Sequence, residues 1–393
     1  MNAALPDPGD DERAHSEALA AAIRDEIAAT GPMPFSRFME RCLYAPGLGY
    51  YSAGRTRFGA AGDFVTAPEL GSLFAATIAA SLAPTLRALG PRADFLEIGG
   101  GSGAFAETCI GELAALDVLP RRYAILEPSA DLRERQRRRL GAALPAPTMA
   151  RVEWLDRPPH EPWRGVLFAN EVVDALPVTR FAIDAGAVFE EHVVLRGEDF
   201  ARVNRPADAL IGSAVREAER DLEAPFADGY RSEILPQLPY WIAAVMGMLT
   251  NGHALFVDYG YPRREYYLPE RRDGTLVCHY RHRAHADPLI LPGLQDLTAF
   301  VDFTALAQAG HAAGFALAGY FTQARFLLGS GLSDRFTRLV ADADDITRYR
   351  LAQEVRRLTL PADMGERFQV IAFARGIDHA LPDVQAYDLS RRL

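Results

Sequence analysis

Three patches of this sequence carry groups suited to chemistry. In Glu97-Ile-Gly-Gly-Gly-Ser-Gly103, the residues Gly99, Gly101 and Gly103 let backbone approach a ligand with no Cβ in the way. The helix expected after them opens with unpaired N–H groups, which favour a nucleotide-like ligand. Glu97 can fix the polar end of that ligand or merely the turn. Glu127 lies near the roughly 20-residue separation at which an acid accepts hydrogen bonds from ribose hydroxyls. The plainer reading is a carboxylate exposed at a strand end. Asn170-Glu171-Val-Val-Asp174 crowds two carboxylates and an amide. Such a cluster can hold a planar guanidinium through paired hydrogen bonds and stabilise charge while it acts as a nucleophile. The plainer reading makes Asp174 a helix N-cap and leaves Glu171 exposed.

Each patch follows a short apolar run. A strand from Asp94 leads into the glycines, 123–127 ends in Glu127, 151–155 is a third strand, and 166–169 runs into Asn170. A fifth strand ends in Val257-Asp258-Tyr259-Gly260, and 315–320 and 368–374 supply two more. Strands alternating with helical stretches predict an α/β chain with a seven-stranded, mostly parallel sheet, whose ligands bind beyond the carboxyl ends of the strands. Residues 1–90 read as a helical N-terminal unit, with helices over 16–29 and 34–43 after a frayed start. Thr66 is placed to cap a helix over 68–82 that carries Glu69 in its first turn. Residues 91–200 form the first part of the core, 253–261 a core strand and 306–393 the closing strands. Between them, 178–195 looks like a hairpin, 201–252 reads as a mostly helical insertion, and 262–305 as an irregular, lid-like one.

The composition is that of ordinary globular protein, 393 residues with 49% hydrophobic and 24% charged. A formal charge of -10 argues against nucleic acid or an anionic membrane as partner, and no apolar run reaches the ~20 residues that cross a bilayer. Cys42, Cys109 and Cys278 have no zinc-like spacing, and His279, His282 and His285 lie in a Pro- and Arg-containing loop, so no metal is expected. The Arg-rich run 133–139 reads as a solvated helix face. The acidic N-terminus lacks the features of a signal or transit peptide, and a cytoplasmic location is expected. An oligomer stays open.

The glycines satisfy two registers. Gly99-x-Gly101-x-x-Ala104 fits a nicotinamide-dinucleotide fingerprint, whereas Glu97-x-Gly99-x-Gly101-x-Gly103 is the form found in S-adenosylmethionine-dependent methyltransferases. An assembly protein that keeps a cofactor fold is a third reading. Taken with Gly62-Asp-Phe-Val-Thr-Ala-Pro-Glu69, Asn170-Glu-Val-Val-Asp-Ala-Leu-Pro177, Asp258-Tyr-Gly260 and Pro292-Gly-Leu-Gln-Asp-Leu-Thr-Ala-Phe-Val-Asp-Phe303, the sequence resembles the MidA family of class I methyltransferases. The resemblance implies a Rossmann-like core, S-adenosyl-L-methionine as methyl donor, and a protein substrate presenting an arginine. It implies that Gly99, Gly101, Gly103, Glu97 and Glu127 contact the cofactor and that Asp63, Thr66 and Glu69 approach it from the N-terminal unit. Asn170, Glu171 and Asp174 would then face the acceptor, with Asp258, Tyr259, His282, Asp296, Thr298 and Asp302 on the substrate or lid side. The sequence departs from common family usage at Gly100, where a proline is frequent.

Overall fold

The computed structural model describes residues 5–53, 66–377, 381 and 384–393. The chain forms two compact units: Met1–Phe64, Val173–Gln237 and Tyr261–Asp302 make one, while Val65–Val172, Leu238–Gly260 and Phe303–Leu393 make the other.

The second unit carries the expected sheet. Its strands are β1 (Asp94–Ile98), β2 (Tyr123–Leu126), β3 (Val152–Leu155), β4 (Trp163–Asn170), β5 (Leu249–Tyr261), β6 (Ala316–Thr322) and β7 (Phe368–Arg375). They lie in the order β3-β2-β1-β4-β5-β7-β6. The pairs β2/β3, β1/β2, β1/β4 and β4/β5 are parallel, and β7 runs antiparallel to both β5 and β6. Central strands of a parallel sheet are covered on both faces, and every residue of β1 and β2 is buried, the acids Asp94 and Glu97 of β1 included. The first strand crossing is at β1, where the order reverses toward β2 on one side and β4 on the other. Ligands gather at such a switch point.

Helices α1 (Leu73–Leu89), α2 (Ala104–Ala115) and α3 (Ala130–Ala143) belong to this unit. Phe105 of α2 stacks on Phe168 of β4 with centroids 4.1 Å apart, anchoring the helix that follows the glycines. The helix expected over 68–82 is instead two, Ala67–Leu70 and α1, with a break at Gly71 and Ser72. Glu354, far along the chain, causes it. Its carboxylate accepts the Leu73 N–H at 2.6 Å and fills the place that a Cβ on residue 71 would take.

In the first unit, helix Asp10–Thr30 starts earlier than its apolar spacing suggests, because Glu12 folds back to accept the Gly9 N–H at 2.9 Å. Helix Phe35–Tyr44 packs Phe35, Phe38, Met39, Cys42 and Leu43 against Leu19, Ile23 and Ile27. The hairpin expected over 178–195 is present as the antiparallel pair Thr179–Asp184 and Ala187–Arg196. Two strands lie where helix was expected, Asp199–Pro206 and Arg231–Ile234, on either side of helix Ala209–Leu222. The irregular stretch contains a small sheet of Val277–Tyr280, Arg283–His285 and Asp296–Thr298.

Candidate functional site

The glycine loop leaves β1 as a tight turn. Gly99, Gly101 and Gly103 have φ of 69°, 51° and 84°, a left-handed run that side chains with a Cβ rarely adopt, and the Gly103 N–H closes on the Gly100 carbonyl at 2.8 Å. Gly103 serves as N-cap of α2. The Gly100 departure also has a physical reason: a Cβ there would lie 2.7 Å from Ile125 Cγ2 and 3.0 Å from Gln136 Nε2. Glu69, on the short helix Ala67–Leu70, accepts a hydrogen bond from Ser102 Oγ, so it rests directly on the glycine loop. Thr66 occupies the N-cap position of that helix, but its side chain makes no capping hydrogen bond among the described residues. Asp63 lies outside the described residues.

Two acids are buried at the adjoining strand ends. Glu97, 3% exposed on β1, accepts from Tyr123 Oη at 2.7 Å. Glu127, 4% exposed just beyond β2, accepts from the Ser129 N–H at 3.0 Å and from Gln136 Nε2 at 3.4 Å. Burial pushes both carboxyls up to about 7; for Glu97 the neighbouring Glu127 adds to the rise, and for Glu127 the Ser129 and Gln136 hydrogen bonds and Arg133 oppose it. Glu127 is therefore enclosed, not a carboxylate waving at a strand end. An enclosed acid poised near neutrality beside a left-handed glycine turn is suited to accepting hydroxyl donors from a ligand. Sequence reasoning missed Gln136 and Tyr123. The available signal for Gln136 was its place on α3 between Leu132 and Leu140, one polar residue in the buried stripe of that helix.

The acidic patch begins at the end of β4. Asn170 Nδ2 donates to Glu171 Oε1 at 2.9 Å, which fixes the amide because a carboxylate only accepts. Asn170 Oδ1 then points the other way, buried and without a hydrogen-bond partner among the described residues. Glu171 is half-buried with φ of 53°, a left-handed conformation that is costly for a residue with a Cβ. Two backbone bonds hold it there. The Glu171 N–H reaches the Val257 carbonyl at 2.9 Å, and Asp258 Oδ2 accepts the next N–H, that of Val172, at 3.2 Å. Asp258 is 1% exposed and also takes the Tyr259 N–H at 2.9 Å, so its carboxylate acts on the loop backbone. Val172 in turn packs on the glycine loop, where a Cβ at Gly99 would lie 2.9 Å from Val172 Cγ2. The glycines, Glu127 and Asn170-Glu171 thus lie at the carboxyl ends of three neighbouring strands, β1, β2 and β4.

The remaining expected residues lie in the first unit or in β5. No helix follows Asp174, so it is not an N-cap; it is buried and its carbonyl accepts the Ala299 N–H at 3.1 Å. Asp296 is buried and accepts from Tyr51 Oη at 2.9 Å, while Thr298 is buried in the strand paired with Val277. Asp302 accepts from Arg263 Nε at 2.9 Å. His282 is exposed at the tip of the Val277–Tyr280/Arg283–His285 hairpin, where it and Arg281 have φ of 62° and 48°. Tyr259 is buried edge-on against Phe368.

Comparison with known proteins adds chemistry to this geometry. The family model described as "Putative S-adenosyl-L-methionine-dependent methyltransferase" matches residues 77–321. A Burkholderia thailandensis protein crystallised with S-adenosyl-homocysteine is 46% identical, with a TM-score of 0.92 over 99% of this chain and 100% of its own. "Protein arginine methyltransferase NDUFAF7 homolog, mitochondrial" of Drosophila melanogaster is 28% identical over 385 residues, 91% of this chain and 85% of the relative. The human protein named "Protein arginine methyltransferase NDUFAF7, mitochondrial" is 28% identical over 382 residues, 88% and 81% of the two chains.

Proposed function

The chain belongs to this family of S-adenosyl-L-methionine-dependent methyltransferases, and from that premise we propose that its methyl acceptor is an arginine side chain of a protein. The cofactor is S-adenosyl-L-methionine, which closes the nicotinamide reading of the glycines. The residues present fit it. The left-handed glycine run leaves an open backbone cradle, and Glu127 is an enclosed acceptor at the neighbouring strand end. In this reading Glu97, Gly99, Gly101, Gly103, Glu127 and Glu69 serve the cofactor, with Asp63 and Thr66 alongside. Asp296, Thr298, Asp302 and His282 are assigned to the substrate or lid side.

The observation that carries the acceptor assignment is the buried, unmet Asn170 Oδ1 beside the Glu171 carboxylate. Both are acceptors, and a group presenting several N–H donors in one plane satisfies them together, as a guanidinium does. The named relatives act on arginine, in keeping with this. When bound, the cofactor supplies a sulfonium methyl as electrophile. The protein's own residues orient the guanidinium and take up one proton, because a guanidinium nitrogen must lose a proton to become nucleophilic. The Glu171 carboxylate is the base placed for that, Asn170 aligns the fork, and Asp174 adds negative charge to the same loop. Asp258 keeps Glu171 in its left-handed pose through the Val172 N–H and is a positioning residue. The proposed setting is the cytoplasm, in keeping with three cysteines that are free and buried. Among the described residues no helix is long and apolar enough to cross a membrane.

The test is Glu171→Gln, incubated with labelled S-adenosylmethionine and lysate from a deletion strain. Wild-type protein should label a protein band that yields methylarginine on acid hydrolysis. The variant should bind S-adenosyl-homocysteine as wild type does yet lose about 10²-fold or more of the transfer rate. Label recovered in a small molecule, or on a residue other than arginine, would overturn the assignment.

A further inference from the structure

Gln136 is fully buried, and its amide can sit in one orientation only. Trp154 Nε1 on β3 lies 2.9 Å from Gln136 Oε1, and an indole N–H can only donate, so the atom facing it must be the oxygen. The amide nitrogen then faces two acceptors, the Gly101 carbonyl at 2.9 Å and Glu127 Oε2 at 3.4 Å. The same side chain lies beneath the glycine turn, 3.0 Å from the Cβ that residue 100 lacks and 3.4 Å from the one residue 103 lacks. The Arg137 guanidinium covers the Trp154 ring at 5.0 Å from its centroid. A buried amide with three polar partners on three elements is costly to assemble and specifies their relative placement.

We infer that Gln136, locked by Trp154, is a positioning residue for cofactor binding: it sets the Gly101 carbonyl and the Glu127 carboxylate at a fixed separation. These two groups stand at the ends of adjacent parallel strands, β1 and β2, and no other side chain among the described residues is bonded to both. Gly100 belongs to the device, because any side chain there would displace either Ile125 or the amide. The hydrogen bond from Gln136 also favours the ionised form of Glu127, the form that accepts two hydroxyl donors. Two charged groups bear on Glu127, Glu97 from β1 and Arg133 from α3. The inference rests on the cofactor reading of Glu127.

Calorimetric titration with S-adenosyl-homocysteine across pH 5.5 to 8.5 tests it in the full-length protein, with Gln136→Leu, Trp154→Phe, Glu127→Ala and Leu140→Ala compared with wild type. Gln136→Leu should weaken binding by about 10-fold or more, as loss of a hydrogen bond to a charged group does. It should also move the pH at which affinity rises to a higher value. Trp154→Phe keeps an aromatic ring but frees the amide, and should weaken binding by roughly three- to tenfold. Leu140→Ala removes packing from the same buried stripe, and should lower the melting temperature while leaving affinity and its pH midpoint in place. If Glu127→Ala binds as wild type does, the cofactor reading of Glu127 fails. If Glu127→Ala loses affinity but Gln136→Leu and Trp154→Phe retain it, or shift it no more than Leu140→Ala does, the positioning role of Gln136 fails alone. Should Gln136→Leu not fold, Trp154→Phe decides.

Discussion

Two clusters of buried acids, one in each unit, are treated in opposite ways. In the first, Arg180 is 2% exposed and lies 2.5 Å from Glu233, 3.2 Å from Glu191 and 2.7 Å from Asp273, with Arg231 3.0 Å from Glu191. Arg180 and Glu233 face each other directly in register across their strands. In the second unit Glu97 and Glu127 are as deeply buried, yet neither has an ion pair among the described residues. Their carboxylates accept from a phenol, an amide and one backbone N–H. A buried charge with its counter-charge is a fixed part of the framework. A buried acid left near neutrality still has something to accept, and that difference separates scaffold from site more sharply than burial or residue type does.

The largest effect that would break this contrast belongs to Arg180. Replacing it by methionine leaves Glu233 buried without its cation, while Glu191 keeps Arg231 and Arg202, and should cost about 3–5 kcal/mol, read from the denaturant midpoint. Adding Glu233→Gln should recover part of the loss. If Arg180→Met costs under about 1 kcal/mol, the acids simply take up protons and the two clusters do not differ in kind.

A smaller effect sharpens the other side. Glu97 keeps its proton to about 7 in the folded chain against 4.5 for an unperturbed carboxyl, chiefly because burial penalises the charge. The folded state therefore binds the proton more tightly than the unfolded one. That stability is fully present below pH 4.5 and is lost as pH rises through about 7. Between pH 5 and 8 Glu97 should contribute a fall on the order of 3 kcal/mol, and Glu97→Gln should flatten the curve by that share in urea titrations at each pH. A slope unchanged in the variant would show that Glu97 is ionised and paired in some other way.

The sheet was legible because β1, β2, β4 and β7 are mainly apolar runs, each bounded by turn residues or charge, and the glycine loop because few residues other than glycine take its left-handed conformations. Glu127 and Asn170-Glu171 could be placed at strand ends for the same reason. Strand Asp199–Pro206 escaped notice because most of its residues face solvent, so DFARVNRP shows no alternation of apolar and polar positions. The break at Gly71 could not be found locally, and the clamp at Gln136 showed only as one polar residue in the buried stripe of α3, without its partners. One is imposed by a carboxylate 281 residues away, and the other needs an indole from a strand 18 residues on. Periodicity can mark such a position as buried, but it does not name the partner that defines its role.

Glu354 offers the smallest and most discriminating change, because it is a third solution to the burial of an acid. It is 5% exposed, and it takes the Leu73 N–H at the start of α1 in place of a cation. Burial raises its carboxyl, and the hydrogen bonds from Leu73 and Phe74 pull it back. The four unpaired N–H groups of a helix start need an acceptor more than they need a charge. Glu354→Gln keeps an oxygen there and loses only the interaction of charge with the helix dipole, about 0.3–1 kcal/mol. Glu354→Ala removes the acceptor as well and should cost about 1–2 kcal/mol, with α1 fraying at Leu73 and amide exchange speeding there. If the glutamine variant loses as much as the alanine one, charge and not hydrogen bonding holds this helix start. Glu354 would then stand with the Arg180 cluster as an acid whose burial depends on opposite charge, and an uncharged acceptor would no longer explain how Glu97 and Glu127 are tolerated.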